Sequence, residues 1–318
     1  MKTSSPEFST PLPAAASVRE PSPPPWVKRL LDVPSHPFAT PNRALAAREC
    51  ISSSLALISV RISDADALPA DDLQRITTEA YGIIRRRLQS IGRPHPIRFW
   101  NHIPDINARI DEAIDRYMVF NAGRFAAFRD WFGEPASAFP RAVATASGVG
   151  HHGKDLVIHC LAADTPGAAV DNPRQVAPYH YSKRYGPLPP CFARATRITH
   201  DHRQLVLVGG TASVRGEASV HAGDLHAQCM ETFHNLASLI SAARCGTDAD
   251  PSDGALPEIL RGFHDLRVYY VLAKDRAAIA QLIADHFPSL DHLELMQANL
   301  CRPELLVEIE GLATLTAD

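Results

Sequence analysis

Downstream of about residue 45 the apolar positions of the chain alternate between two periods. SLALISVRIS (54–63) is a β-branched apolar run with the character of a strand, whereas LQRITTEAYGIIRRRLQSIG (73–92) spaces its apolar residues three and four apart, as an amphipathic helix does. Gly92 stands where such a helix would stop. PIRFWNHIPDI (96–106) predicts a strand running into a loop. IDEAIDRYMVFNAGRFAAFRDWF (110–132) predicts a helix with Ile110, Ile114 and Tyr117 on one stripe and Gly123 as a candidate break. AVATASGV and DLVIHCLAA follow as a pair of strands. From Cys191 the order recurs: CFARATRIT and QLVLVGGTA as paired strands, then GDLHAQCMETFHNLASLISAAR as a helix capped by Asp224. LRVYYVLA, DRAAIAQLIADHF, LELMQANL and LLVEIEGLATL complete it as strand, helix, strand and strand. A sheet covered on one face by helices, occurring twice, predicts an α+β fold of two similar halves.

The last strand raises a question of chemistry. A side-chain period of two puts Leu306, Glu308 and Glu310 on one face and Leu305, Val307 and Ile309 on the other. Periodicity alone reads this as a half-buried strand with both acids in water.

Residues 1–45 are rich in Pro, Ser and Ala, with PSPPP at 21–25, and are expected to be a disordered tail because they offer too little apolar surface to offset ordering entropy. CGTDADPSDGALPE (245–258) predicts a surface loop for the same reason. At 318 residues the chain is long enough for about two domains. A formal charge of -3 gives non-specific nucleic-acid binding nothing to rest on. No apolar run approaches the ~20 residues of a membrane span, and the N-terminus lacks a signal-peptide core. The six scattered cysteines read as reduced thiols, so a cytoplasmic protein acting on a small molecule is expected. HDH at 200–202 and HH at 151–152 lack further ligands at a metal spacing, and GVGHHG lacks the order of a phosphate loop; no metal is expected.

The C-terminal half resembles the RidA (YjgF) family in its strand, its GDLHAQCMETFHNL helix and its closing VEIE strand. The resemblance implies RidA/YjgF-like (chorismate-mutase-like) halves, each a mixed sheet covered on one face by helices, at 46–188 and 189–318. HFPSLDHLEL has Leu290 where the RidA imine deaminases hold a carboxylate-gripping arginine, which argues against that activity. A longer series of motifs resembles the chorismatase family, and its 3-hydroxybenzoate-forming branch in particular. In order they are RFWNHIPDIN, RYMVFNAGR, ATASGVG, NPRQVAPYHYSKRYGPLPPCFARA, GGTASVRGE, the GDLHAQCMETFHNL helix and CRPELLVEIEG.

This resemblance implies cleavage of the enolpyruvyl ether of chorismate to 3-hydroxybenzoate and pyruvate, with 4-hydroxybenzoate as a candidate second product and no metal or organic cofactor. Glu308 matches the family's catalytic glutamate, with Glu310 the competitor, and Cys301, seven positions earlier, matches a cysteine that handles the ring. Without the family match Cys301 reads as a small buried hydrophobe. Arg124 in FNAGR and Arg194 in FARA are the candidates for the substrate carboxylates, because the guanidinium fork pairs bidentately. Tyr179, Tyr181 and Tyr185 lie in a segment too proline-rich for a regular helix, where they can offer hydroxyls to a ligand or simply anchor the loop. Thr211, Ala212 and Ser213 follow Gly209 and Gly210, which permit close backbone approach, and are expected to shape the ring pocket. Two other readings stay open: a hydrolase that stops at a dihydroxycyclohexadiene carboxylate, against which Cys301 argues, and a catalytically silent RidA-like binding module. RidA relatives are trimers with sites between subunits, but two halves in one chain could satisfy those contacts internally, so monomer and trimer both remain.

Overall fold

The computed structural model describes residues 21–246, 251 and 253–315, and these form two six-stranded sheets with the same topology. The first contains β1 (His36–Phe38), β2 (Leu45–Ile51), β3 (Leu55–Ile62), β4 (His95–Pro104), β5 (Thr145–His151) and β6 (Leu156–Ala163). The second contains β7 (Ala168–Val170), β8 (Ala195–His200) and β9 (Arg203–Ala212) and, beyond a small ribbon of β10 (Val214–Arg215) and β11 (Ala218–Ser219), β12 (Phe263–Tyr270), β13 (His292–Gln297) and β14 (Val307–Leu315). Their spatial orders are β1-β2-β3-β6-β4-β5 and β7-β8-β9-β14-β12-β13. Each is mixed: β4 with β5 and β12 with β13 run parallel, while the other neighbours run antiparallel.

Helices α1 (Pro25–Leu31), α2 (Ala70–Ser90), α3 (Arg116–Phe132), α4 (Pro135–Ala142), α5 (Leu225–Cys245), α6 (Leu256–Leu260) and α7 (Arg276–His286) cover these sheets. The buried faces of α2 and α3 pack on the first sheet and those of α5 to α7 on the second, giving two separate cores. The opposite faces of the sheets meet each other. Leu55, Leu57, Ile97 and Leu161 of the first pack against Ile198, Leu205, Leu207 and Leu312 of the second, with α1 inserted beside them. Double coverage explains why β6 is buried at every position and why its sequence shows no alternation.

Several expectations are corrected. Part of the expected 1–45 tail is structured: α1 buries Trp26, Val27 and Leu31, with Trp26 5.7 Å from Trp100 between ring centroids, and β1 pairs with β2. Pro25 suits the first turn of a helix, where no amide donor is needed, and the three apolar residues gain a site that only the facing sheets create. Residues 1–20 of that expectation lie outside the described residues. The boundary expected at 188/189 falls late, since β7 already pairs with β8. AVATASGV and DLVIHCLAA are strands but not neighbours, because β5 joins β4 in parallel through a helical crossover and β6 then fills the place between β3 and β4. α3 begins at Arg116, where the Asp115 carboxylate accepts the Met118 amide at 2.9 Å, so Ile110 and Ile114 precede it. Gly123 does not break α3. A Cβ there would lie 2.5 Å from the Gln74 carbonyl oxygen, so the glycine lets α3 lie against α2. The loop expected at 245–258 is partly outside the described residues, and its end enters α6 with Leu256 buried. Asp224 caps α5 as expected, accepting the Ala227 amide at 3.0 Å.

Candidate active site

The edge of the first sheet reaches the second module at β5, through bridges from Thr145 to Ala193 and from Val149 to Leu300. A cavity opens beside this junction. α3 supplies Tyr117, Met118 and Arg124 to it, β5 supplies Ala146, Ser147 and Gly148, and β9 supplies Gly210 and Ala212. The chain ahead of β8 adds Tyr181, Tyr185, Phe192 and Arg194; Cys301, Arg302, Leu305 and Glu308 close it.

The two acids of β14 are both buried, Glu308 at 5% and Glu310 at 1% exposure, which overturns the half-exposed reading. Their face of the strand is covered by the first module, a partner that strand periodicity cannot reveal. The two are solvated by the protein in opposite ways. Glu310 accepts from Arg98 at 2.6 Å, Trp100 Nε1 at 3.0 Å, the Tyr269 hydroxyl at 3.1 Å and the Ser147 hydroxyl. Glu308 has no side-chain hydrogen bond to any described residue and faces the cavity. Its Oε1 rests against Gly210, where a Cβ would approach to 1.9 Å. Burial, then the Glu310 charge, push the Glu308 carboxyl up to about 8, against the opposing pull of Arg98, Arg194 and Arg302. Near neutrality this carboxyl therefore holds its proton.

Cys301 is half-buried against the same cavity, and burial followed by the nearness of Glu308 push its thiol up to about 12. It is a neutral S–H, not a thiolate. Three guanidiniums stand on an aromatic frame. Arg124 lies 5.4 Å from the Phe120 centroid and 5.8 Å from that of Phe192, and Nη2 donates to Asn121 Oδ1 at 2.8 Å. Arg194 lies 5.4 Å from the Phe192 centroid and donates to the Tyr181 hydroxyl at 2.6 Å. The buried Nε atoms of both have no hydrogen-bond partner among the described residues. Arg302 stacks 4.0 Å from the Tyr185 centroid and donates to the Glu217 carbonyl at 2.8 Å.

The structure thus brings Glu308, Cys301, Arg124, Arg194, Tyr181, Tyr185 and Ala212 to one cavity. It does not bring Tyr179, whose hydroxyl donates to Asp171 at 3.4 Å while its ring packs on the first core. Thr211 and Ser213 also turn away, donating to the carbonyls of Gly209 and Val220, because alternation along the strand sends them off the face that Ala212 presents. Sequence reasoning missed Arg302, Tyr117 and Ser147 as cavity residues, although Arg302 adjoins Cys301 inside CRPELLVEIEG. HDH proves to be the β8–β9 turn, with Asp201 and His202 at φ of 47° and 62°, the positive angles of a two-residue hairpin.

Fold and site together define an α+β protein of two sheet-and-helix modules that hold a proton-bearing carboxyl among guanidiniums in a cavity at their junction. Comparison with known proteins gives that class a family. The family model "Chorismatase FkbO/Hyg5-like, N-terminal" matches residues 42–162. The chain is 33% identical over 248 residues to 3-hydroxybenzoate synthase of Streptomyces hygroscopicus, an alignment covering 76% of this chain and 70% of that one. It is 29% identical over 237 residues to a chorismatase of the same organism, covering 74% and 66%. A crystal structure of a chorismatase matches with a TM-score of 0.72 and 26% identity over 86% of this chain and 78% of the other. The chain belongs to the chorismatase family.

Proposed function

We propose that this enzyme cleaves the enolpyruvyl ether of chorismate to 3-hydroxybenzoate and pyruvate, a conversion that balances without uptake of water. The observation that carries the reading is Glu308, a buried carboxyl facing the cavity and pushed up to about 8. Breaking an enol ether begins with a proton delivered to its terminal methylene carbon, and a carboxyl poised near the working pH is suited to deliver it. The carbon bonded to the ether oxygen then becomes an oxocarbenium ion. The carboxylate left on Glu308 offsets that charge in a site of low polarity.

Arg124, Arg194 and Arg302 supply positive charge for the two carboxylates of chorismate, and the Tyr181 and Tyr185 rings narrow the access of water. Cys301 supplies a neutral thiol beside the ring, which favours aromatisation over capture by external water. The similarity to a 3-hydroxybenzoate synthase points the same way. Lining residues from both modules of one chain favour a site complete within a monomer. No helix among the described residues is long and apolar enough to cross a membrane, and all six cysteines are free, which suits the cytoplasm.

Incubation of the purified protein with chorismate, followed by chromatography, tests this. Equal amounts of pyruvate and 3-hydroxybenzoate are expected. Pyruvate accompanied by a non-aromatic diol would make the enzyme a hydrolase, and intact chorismate would make the protein a binding module.

A further inference from the structure

Resting on the reading of Glu308 as proton donor, we propose that Glu310 is a positioning residue for the reaction: an ion-paired carboxylate behind Glu308 that keeps its neighbour in the proton-bearing form and fixes the wall on which that neighbour rests. The argument begins with the pairing of β14 and β9. Ile309 pairs with Thr211 and Gly311 with Val208, so two residues, Gly209 and Gly210, stand opposite Glu310 alone. This bulge turns the Gly210 amide out of the ladder, while the Gly209 amide continues the pairing toward β8. Gly209 N–H donates to the Arg194 carbonyl at 2.9 Å and Gly210 N–H to Ser147 Oγ at 2.9 Å.

Ser147 joins the two carboxyls. Its Oγ accepts from Gly210 and from Arg98 Nη2, the latter at 2.6 Å, and donates its own proton to Glu310 Oε2. Glu310 therefore orients Ser147, Ser147 holds Gly210, and Gly210 is the surface against which Glu308 Oε1 lies. A carboxylate that does not line the cavity thus fixes, through Ser147, the wall on which the proton donor rests.

Charge points the same way. The groups disposed around Glu308 and its cavity are Glu310 on its own strand, Arg98 from β4, Tyr269 from β12, Asp115 at the cap of α3, Tyr117 and Arg124 from α3, Tyr181, Tyr185 and Arg194 ahead of β8, and Cys301 and Arg302 ahead of β14. The guanidiniums draw the proton off Glu308. Asp115 is engaged in capping α3, and Glu310 is the acid whose charge opposes the guanidiniums at Glu308; Arg98, Trp100, Ser147 and Tyr269 hold it in place.

The test needs no substrate at first. The carbonyl stretch of protonated Glu308, assigned by its loss in Glu308→Gln, is followed against pH by infrared difference spectroscopy. Glu310→Gln should lower the midpoint by at least about one pH unit, and with chorismate the alkaline limb of kcat should move down equally, so that turnover recovers on acidification. Glu310→Asp, which restores the charge, should return the midpoint toward the wild-type value. Because loss of a buried ion-pair partner can unfold a protein, Tyr269→Phe serves as a second variant. It removes one donor from Glu310, strengthens the field at Glu308 and should raise the midpoint. Unmoved midpoints, or a loss of turnover in Glu310→Gln that acid does not relieve, would overturn the proposal. Shifted midpoints in a protein that leaves chorismate intact would support it and refute the substrate instead.

Discussion

Glu308 is held protonated by the fold at a cost in stability, and the sign of its titration says how. The folded protein holds this proton up to about 8, whereas an unfolded chain releases it near pH ~4.3. Its contribution to stability is therefore present at acid pH and is lost as pH rises through that window. Glu308→Gln keeps the shape but removes both the titration and the acid. It should raise stability at pH 8 by on the order of 1–3 kcal/mol, seen as a gain in Tm that is smaller in acid, while pyruvate release falls at least ~10²-fold with chorismate still bound. At Cys301 the expectation concerns product identity. Cys301→Ala leaves Glu308 able to protonate the ether, so pyruvate should continue to form while the ring is diverted to a non-aromatic diol. An unchanged ratio of 3-hydroxybenzoate to pyruvate would return Cys301 to a packing role. Arg124→Lys and Arg194→Lys keep charge but lose the fork, and each should weaken chorismate binding by roughly ten- to a hundredfold, as measured by titration calorimetry. That Glu308, Cys301, Arg124 and Arg194 would line one cavity was legible because each stands in a contiguous motif. Tyr179, Thr211 and Ser213 stand in the same motifs and turn elsewhere, since a motif fixes position along the chain but not the direction of each side chain.

Among the elements, α3 shows how packing overrides a local signal. Gly123 reads as a helix breaker, yet its missing side chain is what lets α2 approach, with the Gln74 carbonyl in the space a Cβ would fill. Gly123→Ala should therefore destabilise the protein by roughly 1–3 kcal/mol despite the better helix propensity of alanine. Because Arg124 is the next residue, the variant should also bind chorismate more weakly; denaturant titration and calorimetry on one preparation test both. β14 makes the converse point. Its residue period correctly separates Val307 and Ile309, which pack in the second core, from Glu308 and Glu310. Periodicity could not say that the acidic face would be covered as well, because the covering side chains Arg98, Trp100 and Ser147 come from strands more than a hundred residues away.

At the scale of the molecule, the modules meet across a layer that contains neutral histidines. His102, on β4, has ring centroids 5.8 Å from His159 and 6.4 Å from His151, and Arg267 of the second sheet bears on both His102 and His159. Burial depresses all three, His159 to about 4. The unfolded chain takes up these protons below pH ~6.5, the folded one only further into acid, so this stability is present above ~6.5 and lost as pH falls toward 4. For His159 alone the loss is on the order of 3 kcal/mol. Thermal unfolding should show Tm dropping across that window, and His159→Gln should make the drop shallower; an unaltered slope would mean that His159 titrates normally in the folded protein.

The sequence by itself determined the α+β class, the duplicated order of elements, the stop at Gly92 and the cap at Asp224, because these depend on residue period and on groups a few positions apart. It also placed Glu308 and Cys301 in one recognisable motif. The tertiary structure decided what those residues are. Only the packing of one module on the other buried both acids, gave Glu310 its partners and left Glu308 bare, drew α1 out of a proline-rich segment into the interface, and brought Arg302 and Arg194 to the same Tyr181 ring. Solvation and charge at a buried carboxyl are sums over neighbours distant in sequence, and no local pattern carries that sum.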